Sequence, residues 1–262
     1  MKTTRLSLTL AALAALGVGG CDPFDIDFTN STEGEEGVLS FSYEGSEPFD
    51  CLFGCYVDHP IAAGAVAGVS ISGADPNLEL QAQTTSDVAT IVEFTPSFSC
   101  SSNNEIRGVE PDEPCNAGET RDVSWFAWIQ GNEAGAFDLE ITSNGEIVDT
   151  LSMSVGDVVR ADLYEVDRMV GEVRTSTNET KVFRVRFKDA LNGDLEAWSG
   201  ATWSVGDNSG VARRGDPLEN LFGGPNDLVL EGLEPGTTTV VLDLGSYSES
   251  WPVTVTGQPN GQ

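Results

Sequence analysis

Positive charge is scarce in this sequence. Lysine and arginine number 13 against 42 aspartates and glutamates, a formal net charge of −29. A field of that sign repels nucleic acid and anionic headgroups, which excludes a nucleic-acid partner and favours divalent cations or basic partners. Histidine is scarcer still, with His59 the only one. A Ser-His-Asp or Cys-His site would have to use it, yet it stands in VDHPI, where Pro60 fixes the backbone and a structural or solvated loop role suffices. The chain lacks the histidine pair of a zinc hydrolase, a G-x-S-x-G elbow, a phosphate loop and a G-x-G-x-x-G turn. Carboxylates are so many that no two of them single themselves out as an acid–base pair without geometry. Long apolar runs are missing too: Leu6–Val18 falls short of the about 20 residues that a spanning helix needs.

What that short apolar run does fit is a leader. Lys2 and Arg5 precede it, and Gly19, Gly20 and Cys21 follow, the order of a secretory signal. Val18, Gly19, Gly20 and Cys21 resemble the bacterial lipobox, an apolar residue and two small ones before a modified cysteine. The resemblance implies cleavage after residue 20, a diacylglyceryl group on the Cys21 sulfur and an acylated new amino terminus. Two or more acyl chains anchor stably where one is marginal. The chain is then expected at the bacterial cell envelope, on an outer-membrane, periplasmic or surface face. Asp22, an inner-membrane retention residue in some enteric bacteria, leaves the choice of membrane open. Residues 22–36, DPFDIDFTNSTEGEE, are polar and acidic, and read as an extended tether between anchor and fold.

The remaining charge is uneven. Residues 36–163 carry 22 acidic and three basic side chains, residues 164–262 carry 15 and eight. That shift places a domain boundary near Tyr164. Besides Cys21, the cysteines are Cys51, Cys55, Cys100 and Cys115, all in the first region. An even number in an exported chain predicts two disulfides. Three pairings are possible, and Cys51–Cys55 with Cys100–Cys115, each closing a local loop, is favoured. The rival, a four-thiolate zinc site, lacks paired C-x2-C knuckles. No cofactor and no metal ligand set is assigned. Asp22, Asp25, Asp27, Asp207 and Asn208 are oxygen-rich enough to consider for calcium, without EF-hand spacing.

From 37 to 163 the pattern is strand after strand. VLSFSYE alternates, and VAGVSISG, LELQAQTT, ATIVEFTPSFSC and VSWFAWIQ follow. FDLEITSNGEIVDTLSMSV is a hairpin around Asn144-Gly145, a pair suited to the positive φ angles of a type I′ turn. VVRADLYEV closes the region, while HPIAAGAVAG could pass for a short helix weakened by its glycines. Trp125 and Trp128 lie three apart on one strand and so face opposite sides, one buried and one partly exposed. An exposed tryptophan could stack on a sugar, although packing is the commoner role. In the second region KVFRVRFK puts Phe183, Val185 and Phe187 on one face and Arg184, Arg186 and Lys188 on the other. ATWSVGD, LVLEGL, TTTVVLDLG and SWPVTVTG complete it, with a Pro235-Gly236 turn.

Several of these residues resemble a bacterial Ig-like domain of group 2, with its Trp-Ser strand, G-L-x-P-G-T-T-x-V turn and terminal V-x-V-T strand. They are Trp203, Ser204, Gly232, Leu233, Pro235, Gly236, Thr237, Thr238, Val240, Val253, Thr254 and Val255. RRGDPLENLFGGPND departs from that pattern by its length. The resemblance implies a small β-sandwich of the kind found in adhesins and as a spacer in surface enzymes, without implying catalysis.

The expectation is therefore an all-β chain of two tandem antiparallel β-sandwich, Ig-like domains after a signal peptide and an acidic tether. The segments are 1–20 signal, 21–36 tether, 37–163 disulfide-containing sandwich, 164–257 Ig-like domain and 258–262 tail. The expected function is a non-catalytic, lipid-anchored envelope protein serving as an interaction or structural module for an envelope protein or glycan. The alternative is a carbohydrate-binding or calcium-dependent adhesin module.

Overall fold

A computed structural model describes residues 31–44, 56–75, 77–102, 106–166, 168–206, 210–215 and 224–257. Among them every regular element is a strand, and two β-sandwiches follow one another along the chain. The first is built from β1 Thr32–Glu33, β2 Ser40–Glu44, β3 Ile61–Ala62, β4 Val66–Ser72, β5 Leu80–Thr84, β6 Ala89–Ser101, β7 Ile106–Val109, β8 Thr120–Gly131, β9 Gly135–Ser143 and β10 Glu146–Gly156. One sheet runs β1-β2-β4-β8-β6-β7 and the facing sheet β3-β10-β9-β5. The residues read as a possible helix, 59–68, contain β3 and the start of β4 instead.

Period-two alternation sets what fills the space between these sheets. Phe41, Tyr43, Val69, Ile71, Trp125, Ala127, Ile129, Leu139, Ile141 and Leu151 all point inward and are buried. Each large apolar side chain so buried contributes roughly 1.5–3 kcal/mol. β6 carries a bulge between Ile91 and Glu93. The extra residue, Val92, is thrown outward (56 % exposed), which lets Ile91 and Phe94 both pack on the core. The hairpin at Asn144-Gly145 forms as expected, with φ of 53° and 84°.

The second sandwich contains β11 Arg160–Glu165, β12 Arg168–Val170, β13 Val173–Ser176, β14 Thr180–Lys188, β15 Asp194–Leu195, β16 Thr202–Val205, β17 Ala212–Arg214, β18 Leu228–Gly232, β19 Gly236–Leu244 and β20 Tyr247–Thr256. Its sheets run β12-β11-β14-β18-β17, with β15 also on β14, and β13-β20-β19-β16. Phe183 and Phe187 lie in the core with Val185 packed against it. The opposite face of the sheet collects Arg184, Arg186 and Lys188, joined by Arg160 from β11, which is paired with Lys188.

One expectation needs correction. VVRADLYEV does not close the first region: β11 pairs with β14, from Arg160↔Lys188 to Tyr164↔Arg184, so a division at 163/164 would cut through a strand of the second sandwich. The strand partition changes between Gly156 and Arg160. The expected pair of antiparallel sandwiches is present, with two parallel strand pairs, β3 with β10 and β13 with β20, at sheet edges.

The two sandwiches meet main chain to main chain. The stretch after β15 adds itself to β3 and β4: Ala62 N donates to Glu196 O, Glu196 N to Pro60 O, Val66 N to Ser199 O and Trp198 N to Val66 O, each at 2.8 Å. Glycine makes this approach possible. At Gly64 (φ 90°) an added Cβ would lie 2.7 Å from the Gly245 backbone, and at Gly200 (φ 115°) 2.8 Å from the Gly64 carbonyl. Leu195 covers Gly156, and Ala62 and Ala65 of the first sandwich belong to the second sandwich's core. Buried Asn226 holds the same stretch from the other side, its side chain accepting from Ala201 N at 3.0 Å and donating to Ala197 O at 2.8 Å, while its backbone carbonyl accepts the Trp203 indole N–H.

Candidate functional site

Three places carry the chemistry that the sequence singled out. The first is the disulfide loop. Cys100 and Cys115 are bonded, with Cα atoms 5.6 Å apart, and Cys100 is buried. The segment between them, read from sequence as loop, contains β7. Two arginines organise it, Arg107 from within and Arg121 from β8. Arg107 contacts Glu113 at 2.6 Å and Glu119 at 3.2 Å. Arg121 lies 4.8 Å over the Phe98 ring and donates to the carbonyls of Glu113 and Pro111. The Glu113 carboxyl is held below its usual range by the Arg107 hydrogen bond, and the Glu119 carboxyl by the Asn116 backbone and side chain, then by Arg107. Among the described residues the one cluster with metal-ligand spacing is Cys100, Cys115 and Glu119. Its two sulfurs are spent on each other, which removes the four-thiolate zinc reading.

The second is a buried carboxylate that sequence reasoning missed. Asp149 is 0 % exposed. A bulge between Ile147 and Asp149 places its side chain on the inward register of Leu151, Met153 and Val155. There it accepts four backbone N–H groups: Glu36 at 3.0 Å, Val38 at 2.9 Å, Leu39 at 2.7 Å and Thr150 at 2.8 Å. Burial opposes its charge, but the amides of Leu39, Glu36 and Thr150 outweigh it and the carboxyl titrates below its ordinary value. Glu36, hydrogen-bonded to that carboxylate, is pushed up. Gly34 rests on Asp149 so closely that a Cβ would meet its carboxylate oxygen at 2.2 Å. The signal was available: an aspartate within an otherwise apolar inward alternation.

The third is the set of aromatic residues considered as sugar platforms. Trp125 and Trp128 do face opposite sides. Trp125 is buried and stacked on Phe94 at 5.0 Å. Trp128 lies on the Gly68 backbone and 6.0 Å from Trp198 of the second sandwich, so it packs the joint. His59 has a half-exposed side chain 3.5 Å from Asp58, and its backbone carbonyl accepts the Tyr43 hydroxyl at 2.7 Å. It sits in a surface loop, as its sequence context suggested. Cys21, Cys51, Cys55, Asp22, Asp25, Asp27, Asp207 and Asn208 lie outside the described residues.

No family model matches this chain, and no curated protein matches it. Among solved structures it overlaps domains 5–6 of the S-layer protein SbsC at 16 % identity, over 78 % of this chain and 95 % of that one, with a TM-score of 0.27. It overlaps the Escherichia coli adhesin FdeC at 14 % identity, over 87 % and 66 %, with a TM-score of 0.30. For invasin, a bacterial integrin-binding protein, the values are 10 %, 88 %, 43 % and 0.30. Likenesses at this level fix no domain arrangement, and no property of those proteins carries over to this chain.

Proposed function

We propose that the chain is a non-catalytic, lipid-anchored cell-envelope protein that serves as a structural and interaction module. The observation that carries the reading is the closed joint. Ligand and catalytic clefts favour domain interfaces, and here that interface is occupied by backbone hydrogen bonds, apposed glycines and a tryptophan pair. Such a joint transmits position and load and leaves no hinge for a lid.

The anchor is argued from Val18–Cys21 and the leader before it. The segment read as tether ends inside the first sandwich, since Thr32–Glu33 pair with β2 and Asp149 accepts the Glu36 amide. The test is Cys21→Ala in the native host. Detergent-phase partitioning should be lost with folding intact, and unchanged partitioning would remove the anchor. The alternative of a sugar- or calcium-binding adhesin is favoured by no described residue, since both tryptophans considered for it are committed to packing.

A further inference from the structure

We infer that the open edge of β7 is a docking strand for an extended, basic segment of another protein, which pairs with it main chain to main chain. Among the described residues β7 ends the six-stranded sheet and pairs with β6 alone. Natural edges of this kind are usually guarded by charge, proline or a covering loop. Here the strand's own charge is turned away, because Arg107 is bound under the loop by Glu113 and Glu119. The opposite face is bare. Ile106 is 80 % exposed, and a Cβ built on Gly108 finds no atom within 4 Å, which leaves a notch beside an exposed apolar side chain. Strand addition draws affinity from backbone hydrogen bonds and specificity from alternate side-chain positions of this sort.

Charge decides the occupant. Both arginines of this ribbon are consumed internally, whereas Glu110 and Asp112 stand exposed beside the edge. Two copies meeting edge to edge would oppose these carboxylates, so the charge that attracts a cationic strand also disfavours self-pairing. The Cys100–Cys115 bond fixes the loop and its rim beforehand, which lowers the ordering cost on binding.

This inference rests on the reading of the chain as an interaction module, but its test needs no anchor, so its failure would leave the Cys21 experiment standing. The full chain is titrated with a capped octapeptide alternating valine and lysine, and with its valine–glutamate counterpart. The lysine peptide should bind and the glutamate peptide should not. Ile106→Lys should weaken binding roughly tenfold, and Ile147→Lys, the same charge change at another exposed position (54 % exposed), by less than about twofold. Absence of binding, equal binding of both peptides, or equal losses in the two variants would overturn the proposal.

Discussion

The Asp149 carboxylate accepts the Leu39 backbone amide at 2.7 Å, joining residues 110 apart in sequence. With three further amides on the same group, it fastens the incoming chain to β10. Asp149→Asn turns an amide N–H2 toward these donors and leaves at least one without an acceptor, at a cost of about 2 kcal/mol. The pH dependence has a definite sign. A carboxyl depressed in the folded state contributes fully above its ordinary value of 3.8, and the contribution is lost as pH falls through the lower folded value. Urea unfolding should show a constant gap between wild type and variant at neutral pH that narrows below 3.8. A gap that widens there would contradict the assignment.

Glu36 should behave in the opposite sense. Its carboxyl is raised by the hydrogen bond to Asp149 and then by burial. The unfolded chain therefore releases this proton more readily, and the folded state loses stability as pH rises from 4.5 through the raised value. Glu36→Gln removes that loss. The variant should melt above wild type at pH 7, and the two melting curves should converge below pH 4.5.

Strand alternation made most of the fold legible: Phe183, Val185 and Phe187 face the core, and Asn144-Gly145 turns a hairpin. Membership of strands in a sheet was less legible. The charge shift near Tyr164 reports surface composition, whereas β11 belongs with β14 through hydrogen bonds that no local pattern encodes. β7 hid in a polar stretch because Arg107 and Gly108 carry no apolar alternation. The joint was illegible for a similar reason. Gly64, Gly200 and Gly245 are close-packed across it, and glycines in loops look alike until the chain is folded. Asn226 came from the stretch that departs from the Ig-like pattern, and there it ties the linking segment to the second core.

Gly64→Ala tests whether the joint makes one unit of two sandwiches. The new methyl would meet the Gly245 backbone at 2.7 Å, from a φ of 90° that a side chain resists. Strain of this kind costs roughly 1–3 kcal/mol, and here it falls on contacts between the sandwiches. Calorimetry of the wild type should give one transition and the variant two. Gly37→Ala is the control, because Gly37 has a φ of 67° but nothing within 4 Å of its added Cβ. It should lower the melting temperature without splitting the transition. A single transition in Gly64→Ala would mean that the joint contributes little coupling.

The Cys100–Cys115 bond closes a loop of sequence separation 15, and loop closure of that size restricts the unfolded chain by about 3 kcal/mol. The loss on substituting both cysteines by serine should be confined in space. Cys100 sits in the outer part of β6, where Arg121 on β8 and Arg107 on β7 are its cross-strand partners, whereas the Phe94–Trp125 stack lies further toward the joint. Hydrogen exchange should therefore accelerate at residues 106–109 and 120–123 while protection at Ala127 and Ile129 is retained. Since Arg107 and Arg121 still bind the loop by charge and carbonyl contacts, raising the salt concentration should enlarge the effect in the variant more than in wild type. Uniform acceleration across both sandwiches would instead make the disulfide a support of the whole fold and not of the β7 edge.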